Sequence, residues 1–230
     1  MKTRIIRTDT FIGDAVAIIH DCALDAIAAR GIFRLSLCGG NTPRPVYVEL
    51  AKLYADLPWD RTQITFGDER CVPPGDDQSN YKMAKATLFD GARIPEGNIF
   101  RIRGEIDPDA AAREYEQKLA QVAARFDEQR YLHDLLLLGL GEDGHTASLF
   151  PGSPALDESV RNVVPATGPK PPPQRITFTL PLINAARHVC FLVNDPAKSA
   201  IIQRATSGDA SLPSARVKPA SGRLTWLIGI

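Results

Sequence analysis

The chain has no excess of either charge. Its 230 residues carry 27 Lys plus Arg against 27 Asp plus Glu. That balance argues against a nucleic-acid partner, because such proteins show a basic surplus or stripe. No apolar run approaches the roughly 18 residues of a membrane span. The N-terminal M-K-T-R-I-I-R-T-D-T leads into acidic residues and a helix, not into the apolar core of a secretion signal. No membrane partner is expected. Cysteine is scarce and scattered, at 22, 38, 71 and 190. No C-x-x-C pair exists, and with only four histidines no zinc spacing appears. Reduced thiols in a cytoplasmic protein, most of them core filler, are the expectation. A nucleophile elbow G-x-S-x-G and a Walker A motif are missing as well, so neither an elbow serine nor a P-loop is available. Internal repeats and low-complexity tracts are also absent.

What is present alternates strand with helix. Phe11 to Arg30 puts Phe11, Ala15, Ile18, Ile19, Cys22, Ala26 and Ala29 near one helical face. Phe33 to Leu37 reads as a strand, and Val46, Leu50, Leu53 and Tyr54 mark a second amphipathic helix. Strands are expected at Ile64 to Phe66, Ile99 to Ile102, Leu135 to Leu138, Arg175 to Leu180, His188 to Val193 and Leu224 to Ile228. Ser79 should cap a helix to Phe89, and Asp107-Pro108 should start one through Phe126. Gly152 to Pro173, rich in Pro, Ser and Gly, reads as loop, and its stiff G-P-K-P-P-P run could flank a site. His133, just before the leucine run, reads as structural. The pattern predicts one α/β domain over residues 1–230, with a mainly parallel, Rossmann-like sheet in a three-layer sandwich.

Three strand ends carry polar groups. After Leu37 comes C-G-G-N-T-P-R-P. Strand, glycine-rich turn and helix start is the grammar of a phosphate cradle, with Gly39, Gly40, Asn41 and Thr42 as its candidates; an ordinary turn is the alternative. After Phe66 comes G-D-E-R, where Asp68, Glu69 and Arg70 either pair with one another or meet a polar ligand. After Leu138 comes G-L-G-E-D-G-H-T-A-S-L-F-P. Its glycines spell G-x-G-x-x-G, yet Pro151 and Pro154 stop any following helix after about two turns. Glu142 and Asp143 would also repel a pyrophosphate, so no dinucleotide cofactor is expected. His145 is the economical general base, since a histidine titrates near neutrality, and Asp143 could hold its ring; a structural histidine is the alternative. Ser148 reads as helix spacing from His145 rather than as a catalytic partner. Lys198 at a helix start opposes the helix dipole, which a bound anion would explain, as would a plain surface lysine.

These motifs together resemble the 6-phosphogluconolactonase family over nearly the whole chain. G-G-x-T-P stands at Gly39 to Pro43, D-E-R at Asp68 to Arg70 and S-N-Y at Ser79 to Tyr81. The long D-G-H-T-A-S-L-F-P motif ends at Pro151, R-I-T stands at Arg175 to Thr177, and Lys198 and L-P-x-x-x-V at Leu212 to Val217 follow. The resemblance implies the sugar-phosphate isomerase fold and hydrolysis of a small phosphorylated sugar lactone, with no cofactor and no metal. It implies phosphate binding by the Gly39–Thr42 turn, Arg175 and Lys198, and a catalytic His145 with Asp68, Arg70 and Asp143 close by. Arg70 could serve the phosphate or the oxyanion. Amino-sugar-phosphate isomerases and deaminases follow D-G-H with a segment supplying Asn and Glu; here Ser148-Leu149-Phe150 stand instead, which favours hydrolysis. A non-catalytic sugar-phosphate sensor could lose the histidine and would usually carry an added DNA-binding domain. Three departures stand out: Cys38 where serine is common, Asn194-Asp195-Pro196 in place of a glycine approach to Lys198, and Gly229 where many members place Asp.

Overall fold

The computed structural model describes residues 2–54 and 57–230. β1 (Lys2–Thr8) leads into α1 (Phe11–Arg30), which buries Phe11, Ala15, Val16, Ile19, Cys22, Ala23 and Ala26 at helical spacing. Ala29, expected on that face, is exposed. β2 (Phe33–Leu37), α2 (Pro43–Leu53) and β3 (Thr62–Phe66) form a parallel crossover. Leu53, expected inward on α2, is also exposed. Then come β4 (Asp68–Arg70) and α3 (Asn80–Ala84), with Ser79 capping as expected by accepting from the Lys82 N–H. A wide turn over Lys85–Phe89 joins α3 to α4 (Asp90–Ala92). α5 (Pro108–Ala124) starts as its sequence foretells, with the Asp107 carboxylate accepting from the Ala110 N–H. β5 (Leu135–Leu138), β6 (Val163–Thr167), β7 (Gln174–Phe178), α6 (Leu180–Ala185), β8 (His188–Val193), α7 (Ser199–Thr206) and β9 (Arg223–Gly229) complete the order.

Six strands make one sheet in the order β1-β9-β8-β5-β2-β3, and every pairing in it is parallel. Every residue of β2, β3, β5 and β8 is buried, so both faces of the sheet are covered. That explains why Leu135–Leu138 runs apolar without alternation. No helix among the described residues is long and apolar enough to cross a membrane. His133 is structural: its Nε2 lies 2.9 Å from Thr65 Oγ1, and burial, then the Arg34 charge, push its pKa down to about 3.

A second sheet, β4-β7-β6, is antiparallel. Gly67 hands the chain from one sheet to the other: its N–H donates to the Leu37 C=O while its own C=O accepts from Phe178. Asp68–Arg70, expected as the polar end of the Ile64–Phe66 strand, forms a short strand of its own, and the Arg175 strand pairs with it in this small sheet rather than in the parallel one. The stretch expected to be loop contains β6, which tolerates Pro165 because β6 is an edge strand. Ile99 to Ile102 gives only a single bridge from Ile99 to Ile64, because the chain turns away after Phe100 donates to the Ile64 C=O. β1, with Ile5 exposed and no clean alternation, went unforeseen.

The strand order reverses at β2. Its own crossover leads outward to β3, whereas β5, its other neighbour, sends the chain the opposite way to β8. Loops that diverge from adjacent strand ends leave a crevice between them, which is where open α/β sheets bind ligands.

Candidate active site

A cleft of about 470 Å³ opens at that point. All ten candidate residues line it: Gly39, Gly40, Asn41 and Thr42 after β2, Asp68 and Arg70 on β4, Asp143 and His145 after β5, Arg175 on β7, and Lys198 before α7. Pro169 and Lys170 of the proline-rich run form part of one wall.

At the β5 end, Asp143 Oδ1 accepts the His145 main-chain N–H at 3.0 Å and lies 2.5 Å from ring Nδ1. A carboxylate against Nδ1 holds the proton there and leaves Nε2 as the free base. Burial opposes ionisation of Asp143, but its hydrogen bonds from His145 outweigh that and hold the carboxyl below its ordinary value. Phe150 packs against the imidazole with ring centroids 4.6 Å apart. The Gly141 N–H donates to the His145 C=O at 2.9 Å, which folds the loop back on itself. That return leaves no room at Gly141: a Cβ there would lie 2.0 Å from His145 Nδ1. Gly141→Ala is therefore expected to displace the ring and lower kcat at least about tenfold, because ångström-scale misplacement of a reacting group is that costly. A wild-type kcat for this variant would show that the loop can relax.

Ser148 is not on a helix. Thr146 and Leu149 bridge instead, and Ala147 holds a left-handed φ of 48°, a strained conformation for a residue with a side chain. The strain is braced by Ser148, whose N–H donates to Thr177 Oγ1 at 3.1 Å and whose hydroxyl donates to Asp68 Oδ2 at 2.7 Å. Asp68 and Thr177 face each other across β4 and β7. Sequence reasoning missed Ser148 because the hydroxyl reaches a strand eighty residues away. Glu69 points away from the cleft. Its buried carboxylate accepts the N–H groups of Arg70, Asn80 and Tyr81 and the Ser79 hydroxyl.

The other end of the cleft is cationic. The N–H groups of Gly39, Gly40, Asn41 and Thr42 donate to no acceptor among the described residues, and the Thr42 hydroxyl caps nothing. Unpaired amides at a helix start attract an anion. Arg70 and Arg175 are directly opposed across β4 and β7, an arrangement that like charges disfavour. Each has a buried Nε with no partner. Burial, then the Arg70 charge, push the Arg175 guanidinium below its ordinary value. Lys198 Nζ donates to the Leu140 C=O at 2.8 Å and lies 3.9 Å from Asp195 Oδ2, so its charge already has partners within the protein. It ends the short turn Pro196–Lys198, capped by Asp195, and α7 begins just after it. Cys38 stays protonated, its pKa pushed up to about 12 by burial. The other two departures meet: a Cβ on Gly229 would lie 1.9 Å from Asn194 Oδ1, so the Asn194 side chain fills the space a larger residue at 229 would need.

The model of the family described as glucosamine-6-phosphate isomerases/6-phosphogluconolactonase matches residues 7–226. A 6-phosphogluconolactonase of Synechocystis is 39% identical over 227 residues, spanning 97% of this chain and 93% of that protein. The human 6-phosphogluconolactonase is 39% identical over 206 residues, 87% of this chain and 79% of its own. The crystal structure of 6-phosphogluconolactonase from Thermotoga maritima superposes with a TM-score of 0.87 at 28% identity, covering all of both chains.

Proposed function

The chain belongs to the glucosamine-6-phosphate isomerase/6-phosphogluconolactonase family, and within it we propose that it hydrolyses 6-phospho-D-glucono-1,5-lactone to 6-phospho-D-gluconate. One observation carries the mechanism: His145, its Nδ1 held by Asp143, faces a cleft whose far end is cationic. Nε2 takes a proton from water as the oxygen attacks C1 of the lactone. The carbonyl pair moves onto oxygen, and its return breaks the bond from C1 to the ring oxygen. The imidazolium then gives its proton to that leaving oxygen. One base thus serves both steps, and the carboxylic acid product ionises in water. A δ-lactone is an activated ester, so neither a metal nor a covalent intermediate is needed.

The sugar phosphate sits at the Gly39–Thr42 amides, with Arg70, Arg175 and Lys198 around it. The opposed arginines favour this place for Arg70 over the oxyanion, because a dianion between them relieves their mutual repulsion and meets both free Nε–H groups. Asp68 lies on the cleft floor, where its carboxylate can orient the substrate.

The test is a direct assay of freshly made 6-phosphogluconolactone, corrected for spontaneous hydrolysis, beside glucosamine 6-phosphate, with and without EDTA. Turnover of the lactone alone, unchanged by chelator, is expected. Release of ammonia from the amino sugar would move the protein to the isomerase–deaminase branch.

A further inference from the structure

We propose that Asn80 is a positioning residue, whose buried carboxamide sets the phosphate turn and Asp68 at a fixed spacing. The inference rests on the lactonase reading and deepens it.

Asn80 is 3% exposed. Its Nδ2 donates to the Asp68 C=O at 2.9 Å and to Asp68 Oδ1 at 3.2 Å. Both partners only accept, so the nitrogen must face them. The other half of the amide lies on the main chain of Gly39, where an added Cβ would fall 2.0 Å from Asn80 Oδ1. One side chain thus touches the turn that follows β2 and the acid on β4. With Oδ1 held by Asn80 and Oδ2 by Ser148, the Asp68 carboxylate is gripped from the phosphate side and from the catalytic loop at once.

Asn80 is itself anchored. Residues 71–79 loop away from the sheet between β4 and α3, and such a segment does not by itself fix one end against the other. Glu69 does: it collects the N–H groups of Asn80 and Tyr81 and the Ser79 hydroxyl, and pins the start of α3 beside Asp68. This gives Glu69 a reason to stand between two cleft residues while facing away from the cleft.

Asn80→Asp keeps the shape and removes the donor. It sets a second carboxylate against Asp68, and like charges that close share a proton, which raises the apparent pKa of the pair. The titratable groups in contact with residue 80 are Asp68, which meets its side chain, and Glu69, which accepts its main-chain N–H. At pH 8 the two carboxylates, at positions 68 and 80, are ionised and splayed; as pH falls the pair regains a proton and with it a hydrogen bond across the gap. The ratio of kcat/KM in Asn80→Asp to that of wild type should therefore be down about 10- to 100-fold at pH 8 and climb toward pH 5.5. Asn80→Ala, lacking a titrating group, should lose a similar factor with a ratio that stays flat. Thermal melts at each pH, run alongside, report any loss of folded protein.

A flat ratio for Asn80→Asp would overturn the proposal, because a merely structural asparagine gives no acid recovery. Wild-type kcat/KM in both variants would do the same. Should Asn80→Asp not fold, Asn80→Ala decides: a lowered kcat/KM per folded molecule supports positioning, and an unchanged one rejects it. A wild-type protein that hydrolyses no lactone is seen before either variant is compared; it refutes the lactonase reading and takes this inference with it.

Discussion

Replacing His145 by alanine lowers kcat for lactone hydrolysis by about 10²–10⁴-fold, the usual contribution of a positioned general base, and leaves KM close to wild type. The expectation follows from how many groups hold the ring. Asp143 fixes Nδ1, Phe150 packs against the imidazole, and Gly141 clears the space beside it. Holding a ring this way restricts its freedom, and the return is a base already aligned when the lactone arrives. None of these contacts reaches the amides of Gly39 to Thr42 or the two arginines, so phosphate binding survives the loss of the ring. The imidazole is about one-third exposed, and removing it opens no cavity in the sheet core, so the melting temperature should stay near wild type. Progress curves must be corrected for spontaneous hydrolysis, which sets the floor. Asp143→Asn should cost less than His145→Ala, since it frees the tautomer but leaves the base in place. Wild-type turnover by His145→Ala would end the general-base mechanism outright, and a raised KM at unchanged kcat would make His145 a binding residue.

The parts of this site that could be read from sequence are those set by local chemistry. Leu135–Leu138 announces a doubly buried strand because nothing in it is polar, and the glycines and acids that follow announce a loop at its end. The cap residues Ser79 and Asp107 act within three residues of themselves, and both stand where their types predict. What escaped is set by register between distant segments. Nothing near Arg175 says that it faces Arg70; that follows from β4 and β7 pairing antiparallel in a sheet separate from the main one. β6 was hidden by Pro165 and the prolines after it, which read as loop until the strand is seen at an edge. Ser148 resembled helix spacing because a three-residue step is all the sequence shows, whereas its partners are Asp68 and Thr177. Asn80 looked like an ordinary first-turn residue, and only the folded chain brings it against Gly39.

Truncating Arg70 and Arg175 together should raise KM for the phosphorylated lactone by about 10²–10⁴-fold. Hydrogen bonds to charged groups contribute about 1.5–3 kcal/mol each, a factor of roughly 10 to 100 per residue. Both side chains keep one tether to the protein: Arg70 Nη1 donates to the Gln78 C=O at 2.7 Å, and Arg175 Nη2 to the Lys170 C=O at 3.2 Å. Those tethers aim the guanidinium groups without using them up, and the buried Nε of each remains for a ligand. Phosphate lies away from the reacting carbonyl, so its contacts are the same in the ground and transition states. Losing them raises KM and spares kcat. The single variants should be non-additive in a telling direction. Removing one arginine forfeits its own contact and also the relief of repulsion that the dianion gives the pair, so each single loss exceeds half of the double one in free energy. The check is a double-mutant cycle on KM, run with the phosphorylated lactone and with glucono-δ-lactone, which has no phosphate. Only the phosphorylated substrate should respond. An equal fall in kcat for both substrates at constant KM would instead put one arginine at the oxyanion, and Arg70, nearer Asp68 in the chain, would be the one to move.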